Sequence, residues 1–193
     1  MAEPTTSSGT QAQILDAVLS CLAEGGIAGV SMRAVATEAD VSLGLLNYHF
    51  SGKHALIARA VQMACDRLLA HSMASIDGVS CPDERVRMFI RGTMTEEFLS
   101  SQYLRLRLVI WAAGRLDPEI GKVDLRFYYE YVERLTELTL KARPGLSAVV
   151  ARERAVDVSL TQNGLWLNWA RFEDCEALER GLQRCEAIAL GDG

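Results

Sequence analysis

The 193-residue chain predicts an all-α protein of about nine helices. Apolar residues recur at intervals of three and four along most of the chain, which is the spacing of a helix face. No stretch from Pro82 onward alternates apolar and polar residues as a half-buried strand does. Glycine, proline and capping residues separate the helical stretches. We therefore expect a small N-terminal helical head followed by a helical-bundle body.

Composition limits the function classes. A hydrophobic content of 49% is enough for a large core, and the net charge of −5 does not favour nucleic acid as a partner. No uninterrupted apolar run approaches the roughly 18 residues of a membrane span, and the first residues do not resemble a signal peptide. We therefore expect a cytoplasmic protein that does not interact with membranes.

The sequence contains no recognisable catalytic or metal-binding constellation. The five cysteines show no C-x-x-C spacing, so we expect reduced and mostly buried thiols. The three histidines lack metal-ligand spacing, and no H-E-x-x-H, P-loop or G-x-S-x-G motif is present. We expect no metal, no cofactor and no enzymatic activity. A helical enzyme or small-molecule carrier is the rival class.

The N-terminal region predicts a polar tail and one helix. Residues 1–9 are polar, and we expect them to be disordered. Thr10 and Gln13 have the spacing of a capping box, and the apolar residues Ile14, Val18 and Leu22 follow at helical spacing. We expect this helix to end at Gly25-Gly26.

Residues 31–53 predict two short helices joined by a tight turn. Ser31 is a suitable N-cap for the first helix and Ser42 for the second, because a serine hydroxyl can accept from a first-turn N–H group. Asp40 tolerates the left-handed backbone that the turn requires. Leu46 and Phe50, at i and i+4, are expected to point inward. The outward face then carries Leu43, Gly44, Leu45, Asn47 and His49.

These residues carry a family resemblance. The ordered elements S-x-R-x-V-A, A-x-V-S-x-G, Y-H-F and G-K resemble the helix-turn-helix of TetR-type transcriptional regulators, with the domain at about residues 10–62 and the motif at about 31–50. Asp40 stands where that family usually has glycine, and Asn47 where it often has tyrosine. The resemblance implies the following DNA contacts: Ser31, Arg33, Ser42, Leu43, Gly44, Leu45, Asn47, Tyr48, His49 and Lys53.

The remaining residues, 63–193, predict the body. A long helix at about 53–75 is expected to join the head to the body, and five body helices are expected at about 82–99, 102–113, 118–142, 147–171 and 174–190. The segments Trp111-Ala112-Ala113, Leu116-Asp117-Pro118-Glu119 and 163–167 (NGLWL) are similar to the carboxyl-terminal domain of BetI-like regulators, a subgroup named for a choline-responsive repressor. The resemblance implies a domain that binds a small-molecule effector and forms a homodimer.

Aromatic and polar residues of the body are candidates for the effector site, because ligand pockets are mostly apolar with a few placed polar groups. These candidates are Tyr103, Arg107, Trp111, Phe127, Tyr128, Tyr131, Gln162, Asn163 and Trp166. The alternative is that the aromatics only fill a helical core. If the BetI-like resemblance extends to the pocket, a quaternary ammonium compound would sit against Trp111 or Trp166 by cation–π attraction.

The last two helices are expected to pair with their symmetry mates. Leu178, Leu182 and Cys185 lie at i, i+4 and i+7, and Gly164 suggests a close helix contact. The sequence thus predicts a homodimeric, ligand-responsive repressor that binds a palindromic operator in double-stranded DNA. A TetR-type activator, or a regulator without any ligand, remains an alternative.

Overall fold

The computed structural model describes residues 7–191, and within that range the protein is all-α, with no strand. Nine helices there have seven residues or more, and a tenth is a single turn, so the predicted fold class is confirmed. The helices are α1 (Ser7–Gly29), α2 (Met32–Glu38), α3 (Leu43–His49), α4 (Lys53–Ala74), α5 (Pro82–Arg91), α6 (Glu96–Leu99), α7 (Ser101–Gly114), α8 (Pro118–Ala142), α9 (Ala148–Phe172) and α10 (Cys175–Leu190).

The chain forms two compact units. Unit 1 consists of the residues up to Asp66 together with Arg105–Leu125, and unit 2 consists of Arg67–Leu104 together with the residues from Arg126 onward. The sequence predicted a simple boundary after residue 62. The structure differs because the last part of α7 and the first two turns of α8 belong to the same unit as the head.

The core of unit 1 comes from the apolar faces of its helices. Ile14, Val18 and Leu22 of α1 are buried, and so are Val35 of α2 and Leu46 of α3. Burying a side chain of this size contributes about 1.5–3 kcal/mol. By length and composition alone, Gly9–Gly29 is apolar enough to cross a membrane, but the core helix of a soluble protein passes the same test.

The predicted start of α1 needs correction, whereas the predicted interruption at Gly25-Gly26 is present. The helix begins at Ser7, so Thr10 lies inside it and does not form the predicted capping box. Of the tail predicted to be disordered, residues 7–9 are helical, and residues 1–6 lie outside the described part of the chain. The regular helix does break at Gly26, whose φ of 60° and ψ of −161° are non-helical, and helical turns then continue to Gly29.

In unit 2, the single helix predicted for residues 82–99 is interrupted and forms two separate helices. The helix α5 ends before Gly92, and only the short α6 follows. A Cβ atom at Gly92 would lie 2.9 Å from Cα of Ser72 in α4, so glycine permits this close approach. Ser75, the residue after α4, donates to the carbonyl oxygen of Met88 at 3.0 Å. The contact with α4 therefore coincides with the end of α5.

The core of unit 2 lies where α10 packs against α5 and α9. Phe89 of α5 stacks on Tyr131 of α8 with ring centroids 5.2 Å apart. Arg91 of α5 bridges to α10, through Nε to Glu186 at 2.6 Å and through its terminal nitrogens to Glu179 at 2.8 and 2.9 Å. Charged hydrogen bonds of this kind fix the pairing of α5 with α10.

The cysteines are free thiols, but they are less buried than predicted. Cys65 and Cys185 are buried, Cys21 is half-buried, and Cys81 and Cys175 are exposed. Burial raises the pKa of the Cys185 thiol to about 12. Cys81 and Cys175 lie at the beginnings of α5 and α10, where the helices leave their first residues at the surface. Among residues 7–191, no cluster of three or more His, Cys, Asp or Glu side chains could hold a metal ion.

Candidate nucleic-acid interface

The first helix of the motif is capped as predicted. The hydroxyl of Ser31 accepts a hydrogen bond from the backbone N–H of Ala34 at 3.1 Å, which satisfies one of the unpaired donors at the start of α2. Val35 and Ala36 are buried on the inner face of α2. Arg33 points away from that face and is exposed. The local sequence thus fixes which side of α2 meets solvent.

The turn after α2 closes through a left-handed residue. Asp40 has a φ of 49°, as the sequence predicted. The N–H of Asp40 donates to the carbonyl oxygen of Thr37 at 3.2 Å, and that of Val41 to Ala36 at 3.0 Å, which together form a Schellman motif. Gln13 of α1 donates its side-chain amide to the carbonyl oxygen of Ala39 at 2.7 Å. The turn is therefore fixed both locally and by α1.

The second helix of the motif is anchored by one leucine. The hydroxyl of Ser42 accepts from the N–H of Leu45 at 3.1 Å, and Leu46 is fully buried. The prediction that the helix runs through Phe50 is wrong, because α3 ends at His49 and Phe50 has an extended φ of −135°. Phe50 is half-buried, and its N–H donates to the carbonyl oxygen of Leu46 at 3.0 Å.

The outer side of α3 forms a mixed apolar and polar surface. Leu43 and Leu45 are 37% and 38% exposed, and Tyr48 is 83% exposed. We call these residues, together with the exposed Gly44 and Asn47, the α3 surface. Two leucines next to an amide and a phenol can meet both thymine methyl groups and polar base edges in a major groove. All five were predicted as DNA contacts.

The two remaining predicted contacts have partners within the protein. Nδ1 of His49 lies 3.3 Å from the side-chain nitrogen of Gln11 in α1, within hydrogen-bond distance. Lys53 donates to the carbonyl oxygen of Ile27 at 2.7 Å, which ties the start of α4 to the end of α1. Both side chains are half-buried, so they lie at the edge of the α3 surface. The contacts of Gln11 and Gln13 could not be predicted, because their partners are 38 and 26 positions away in the chain.

The segment Arg105–Leu125 is attached to the head by two polar contacts. Arg105 donates from Nε to the carbonyl oxygen of Ala23 in α1 at 3.3 Å. Asp117, which accepts from the N–H of Glu119 at the start of α8, has its second carboxylate oxygen 3.1 Å from Nδ1 of His54 in α4. The neighbouring His54 lowers the pKa of the Asp117 carboxyl. These contacts account for the place of this segment in unit 1.

Two predicted effector residues form a charged cluster in unit 1. The guanidinium of Arg107 is stacked 5.2 Å from the ring centroid of Trp111, and Arg107 is only 5% exposed. One of its nitrogens lies 3.9 Å from a carboxylate oxygen of Asp124. Burial raises the pKa of Asp124, and Arg107 opposes that shift. A cation of the protein itself thus occupies one face of Trp111.

Two other predicted effector residues form a buried hydrogen-bond network in unit 2. The amide nitrogen of Gln162 donates to the carbonyl oxygen of Ile90 at 3.0 Å and to the hydroxyl of Thr93 at 2.7 Å, and its amide oxygen accepts from the hydroxyl of Tyr131. Burial raises the pKa of Tyr131 well above its ordinary value. Gln162 therefore adds a donor to the carbonyl oxygen of Ile90 near the end of α5, which also accepts from the hydroxyl of Thr93 at 2.9 Å.

The remaining predicted effector residues all belong to unit 2. Phe127 and Trp166 are buried, and Tyr103 packs its ring edge-on against Phe98 with centroids 5.0 Å apart. Tyr128 and Asn163 are half-buried. Burial and ring packing of this kind agree with the alternative that some of these aromatics fill a helical core.

The predicted dimer seam on α10 needs correction. Leu182 is 5% exposed and Cys185 is fully buried within the single chain, so neither can meet a second copy. They face inward because α10 uses its apolar stripe to pack against α5 and α9. Leu178 is half-buried, whereas Gly164 on α9 is exposed, with nothing within 4 Å of the position of an added Cβ.

The comparisons with known proteins bear on both parts of the chain. Residues 14–60 match the family model described as bacterial regulatory proteins, tetR family. A BetI regulator of the HTH type from Burkholderia thailandensis is 26% identical over 167 residues, which cover 83% of this chain and 81% of that protein. The similarity to this relative therefore extends well beyond the helix-turn-helix.

Solved structures are similar along nearly the full length. A protein from Pseudomonas aeruginosa PAO1, described as a transcriptional regulator, is 30% identical with a TM-score of 0.83, over 94% of this chain and 88% of that one. A regulator from Saccharomonospora viridis, solved in complex with choline, has a TM-score of 0.78 at 17% identity, over 96% of this chain and 98% of that one.

Proposed function

We propose that this chain, which belongs to the tetR family of bacterial regulatory proteins and is a DNA-binding transcriptional regulator, acts in the cytoplasm as a repressor that binds a palindromic operator as a dimer. The observation that carries the proposal is the geometry of the motif. Two serine-capped helices, joined by the turn at Asp40, expose the α3 surface. A short helix presented in this way fits the major groove of B-DNA.

The chemistry of the α3 surface supports direct reading of base edges. The surface carries no charged side chain, so its leucines and Asn47 can supply base selectivity. Ser31 and Arg33 at the start of α2 and Lys53 at the start of α4 can contact phosphates. Because few cations are available, we expect affinity to depend only weakly on salt.

Selection of fragments from a random DNA library by the purified protein tests the proposal. We expect inverted half-sites whose centres are about one helical turn apart, because a twofold dimer places its two recognition helices in successive major grooves. A library from which no sequence is enriched would contradict sequence-specific DNA binding.

Variants then assign roles to the contacts. Lys53→Ala should weaken binding to all sequences about equally and lower the slope of the salt dependence by roughly one unit. Asn47→Ala or Leu43→Ala should instead change preference at one base position by about 1–3 kcal/mol. Lys53→Arg keeps the charge and serves as the matched control for the slope. An unchanged slope in Lys53→Ala would show that the assigned docking is wrong.

We place the dimer contact on α9 and not on α10. Leu160 and Leu167 are 62% and 44% exposed, and with Gly164 they lie at i, i+4 and i+7 on one face of the helix. Val149, which is 66% exposed, lies about three turns earlier on that face. We call these four residues the α9 face. Exposed Glu153 and Asp157 separate Val149 from Leu160 along that face. An exposed apolar patch such as Leu160, Gly164 and Leu167 is typical of a protein–protein contact.

A small, partly apolar effector completes the proposed mechanism. Effector binding in the body should loosen DNA binding, because α4 begins in unit 1 beside the motif and ends in unit 2. The Saccharomonospora viridis protein, which shares the fold, holds choline, and this supports a ligand-binding role for the body. The coupling between effector and operator must be reciprocal and is typically 5- to 150-fold.

A further inference from the structure

The arrangement of the exposed residues around α3 bears on which base pairs the operator contains, an inference that rests on the proposed function. Leu46 is the buried anchor of this helix. Successive helical residues are rotated by about 100°, so Gly44 faces almost directly away from Leu46. Leu43 and Asn47, at i and i+4, are neighbours on one flank of the exposed side, and Leu45 lies on the other flank.

Gly44 is a glycine that the described part of the chain, residues 7–191, does not require. Its backbone is helical and has no positive φ. A Cβ atom added there would lie 3.9 Å from the hydroxyl oxygen of Ser42, which is ordinary van der Waals contact. Alanine is more favourable than glycine in a helix, so folding alone does not account for this residue. Glycine does permit the backbone to approach an external surface closely.

The side chains beside Gly44 match the major-groove edge of A·T pairs. The helix, with the sequence LGLLNYH, contains no arginine or lysine, and these are the residues that most often read guanine. The Asn47 side chain is exposed, and an asparagine amide can pair with the N6 and N7 groups of adenine. Leu43 is 37% exposed, and an apolar side chain there can contact the methyl group of thymine.

We propose that Gly44 lets the α3 backbone approach the floor of the major groove, where Asn47 and Leu43 read neighbouring A·T pairs through an adenine edge and a thymine methyl group. Cβ atoms at i and i+4 are about 5–6 Å apart, and successive base pairs are about 3.4 Å apart along the duplex. The two side chains therefore reach base pairs within two steps of each other. The partner is double-stranded DNA whose half-sites have A·T pairs at the centre of the α3 contact.

Selection from a random DNA library by the full-length protein and two variants locates these base pairs. Leu43→Ala and Asn47→Ala should each relax the preference at one position of the half-site, by roughly fivefold or more for Asn47→Ala. The two positions should lie within two base pairs of each other. Both should be A·T in the sequences that the unsubstituted protein selects.

Two base analogues test the contacts without a change in the protein. Deoxyuridine in place of the thymidine at the Leu43 position removes only the methyl group and should weaken binding roughly three- to fourfold. A 7-deazaadenine at the Asn47 position removes the N7 acceptor and should weaken binding severalfold. Deoxyuridine should have no effect on Leu43→Ala, whereas Leu45→Ala, on the opposite flank, is the matched control and should keep the methyl effect. Unchanged affinity of the unsubstituted protein for either modified operator would overturn the proposed reading.

The close approach of the backbone is tested by Gly44→Ala. This variant should unfold at the same temperature as the unsubstituted protein or higher, because alanine favours the helix. Its affinity for the operator should nevertheless fall roughly tenfold or more, because the methyl group holds α3 away from the base edges. Gly25→Ala, with nothing within 4 Å of its added Cβ, is the control and should bind normally. Operator binding by Gly44→Ala as tight as that of the control would contradict the close approach.

The results of the library selection separate the A·T reading from the proposed function. Enrichment of operators with G·C pairs at the positions assigned to Leu43 and Asn47 would overturn the A·T reading and leave sequence-specific DNA binding intact. Failure to enrich any sequence would instead contradict the proposed function itself.

Discussion

Asp40 and Glu173 are non-glycine residues with left-handed backbone, each with a φ of 49°. Asp40 closes the turn between α2 and α3, and Glu173 ends α9, donating from its N–H to the carbonyl oxygen of Trp169. A side chain in this conformation costs about 1–2 kcal/mol relative to the right-handed region. Both positions therefore store a small strain that glycine would remove.

Asp40→Gly should raise the free energy of unfolding by roughly 0.5–1 kcal/mol. Relief of the strain outweighs the larger conformational entropy that glycine gives to the unfolded chain. Urea unfolding measures the change, and Glu173→Gly provides the same substitution in unit 2 for comparison. A loss of stability in Asp40→Gly would mean that the aspartate side chain contributes more than its backbone costs.

Single residues governed by local rules could be predicted from the sequence, and residues with distant partners could not. Ser31, Ser42 and Asp40 act on backbone groups within a few positions, so their types and spacing were sufficient. Gln11 and Gln13 act across the fold on His49 and Ala39, and nothing in their neighbourhood in the sequence indicates it.

Among the helices, α7 and α8 approach each other through two glycines. A Cβ atom at Gly121 of α8 would lie 2.6 Å from the carbonyl oxygen of Gly114 in α7, a distance that real Cβ atoms do not adopt. The short connection through Asp117 therefore brings the two backbones together at a point where no side chain fits.

Gly121→Ala should lower the stability of the protein by roughly 1–3 kcal/mol, because backbone must shift to accommodate the methyl group. Gly25→Ala is the matched control in the same unit, since nothing lies within 4 Å of its added Cβ. That control should be neutral or stabilising by up to about 1 kcal/mol, the helix propensity difference. Thermal unfolding of both variants gives the comparison, and equal effects would contradict the proposed contact.

The helix ends show where sequence rules were sufficient. The caps Ser147 and Asp174 place the beginnings of α9 and α10 correctly, because each side chain accepts from an N–H three residues later. The break at Gly92 and the start of α1 at Ser7 were mispredicted. At Gly92 the cause is a tertiary contact with Ser72, which overrides a helical pattern that is otherwise continuous.

For the protein as a whole, the proposed dimer contact on the α9 face predicts that a charged side chain placed there prevents dimer formation. Leu160→Glu should convert the dimer to a monomer at micromolar concentration, because it places a charge in the centre of an apolar contact. Sedimentation measures the assembly state, and operator binding should fall with it, since a monomer contacts only one half-site. The control is Leu116→Glu, which should remain dimeric. Leu116 is 85% exposed, but it follows the end of α7 and is not part of the α9 face.

The fold class and the motif could be predicted because both rest on periodic and local patterns. The division into units could not, since it depends on contacts such as those of Arg105 with Ala23 and His54 with Asp117, which join residues 82 and 63 positions apart. The contacts of the candidate effector residues could not be predicted from the sequence either. The sequence named Arg107, Trp111 and Gln162, but not that Arg107 stacks on Trp111 or that Gln162 donates to a carbonyl oxygen near the end of α5.

The discontinuity of unit 1 has a consequence for synthesis of the protein. Residues 7–66 are synthesised before Arg105–Leu125, although the two segments form one compact unit. At roughly 5–20 residues per second, the nascent helix-turn-helix waits about 3–12 s for its last segment. During that interval the contacts of Arg105 with Ala23 in α1 and of Asp117 with His54 in α4 cannot form. The DNA-reading unit therefore reaches its final form only after Leu125 has been translated.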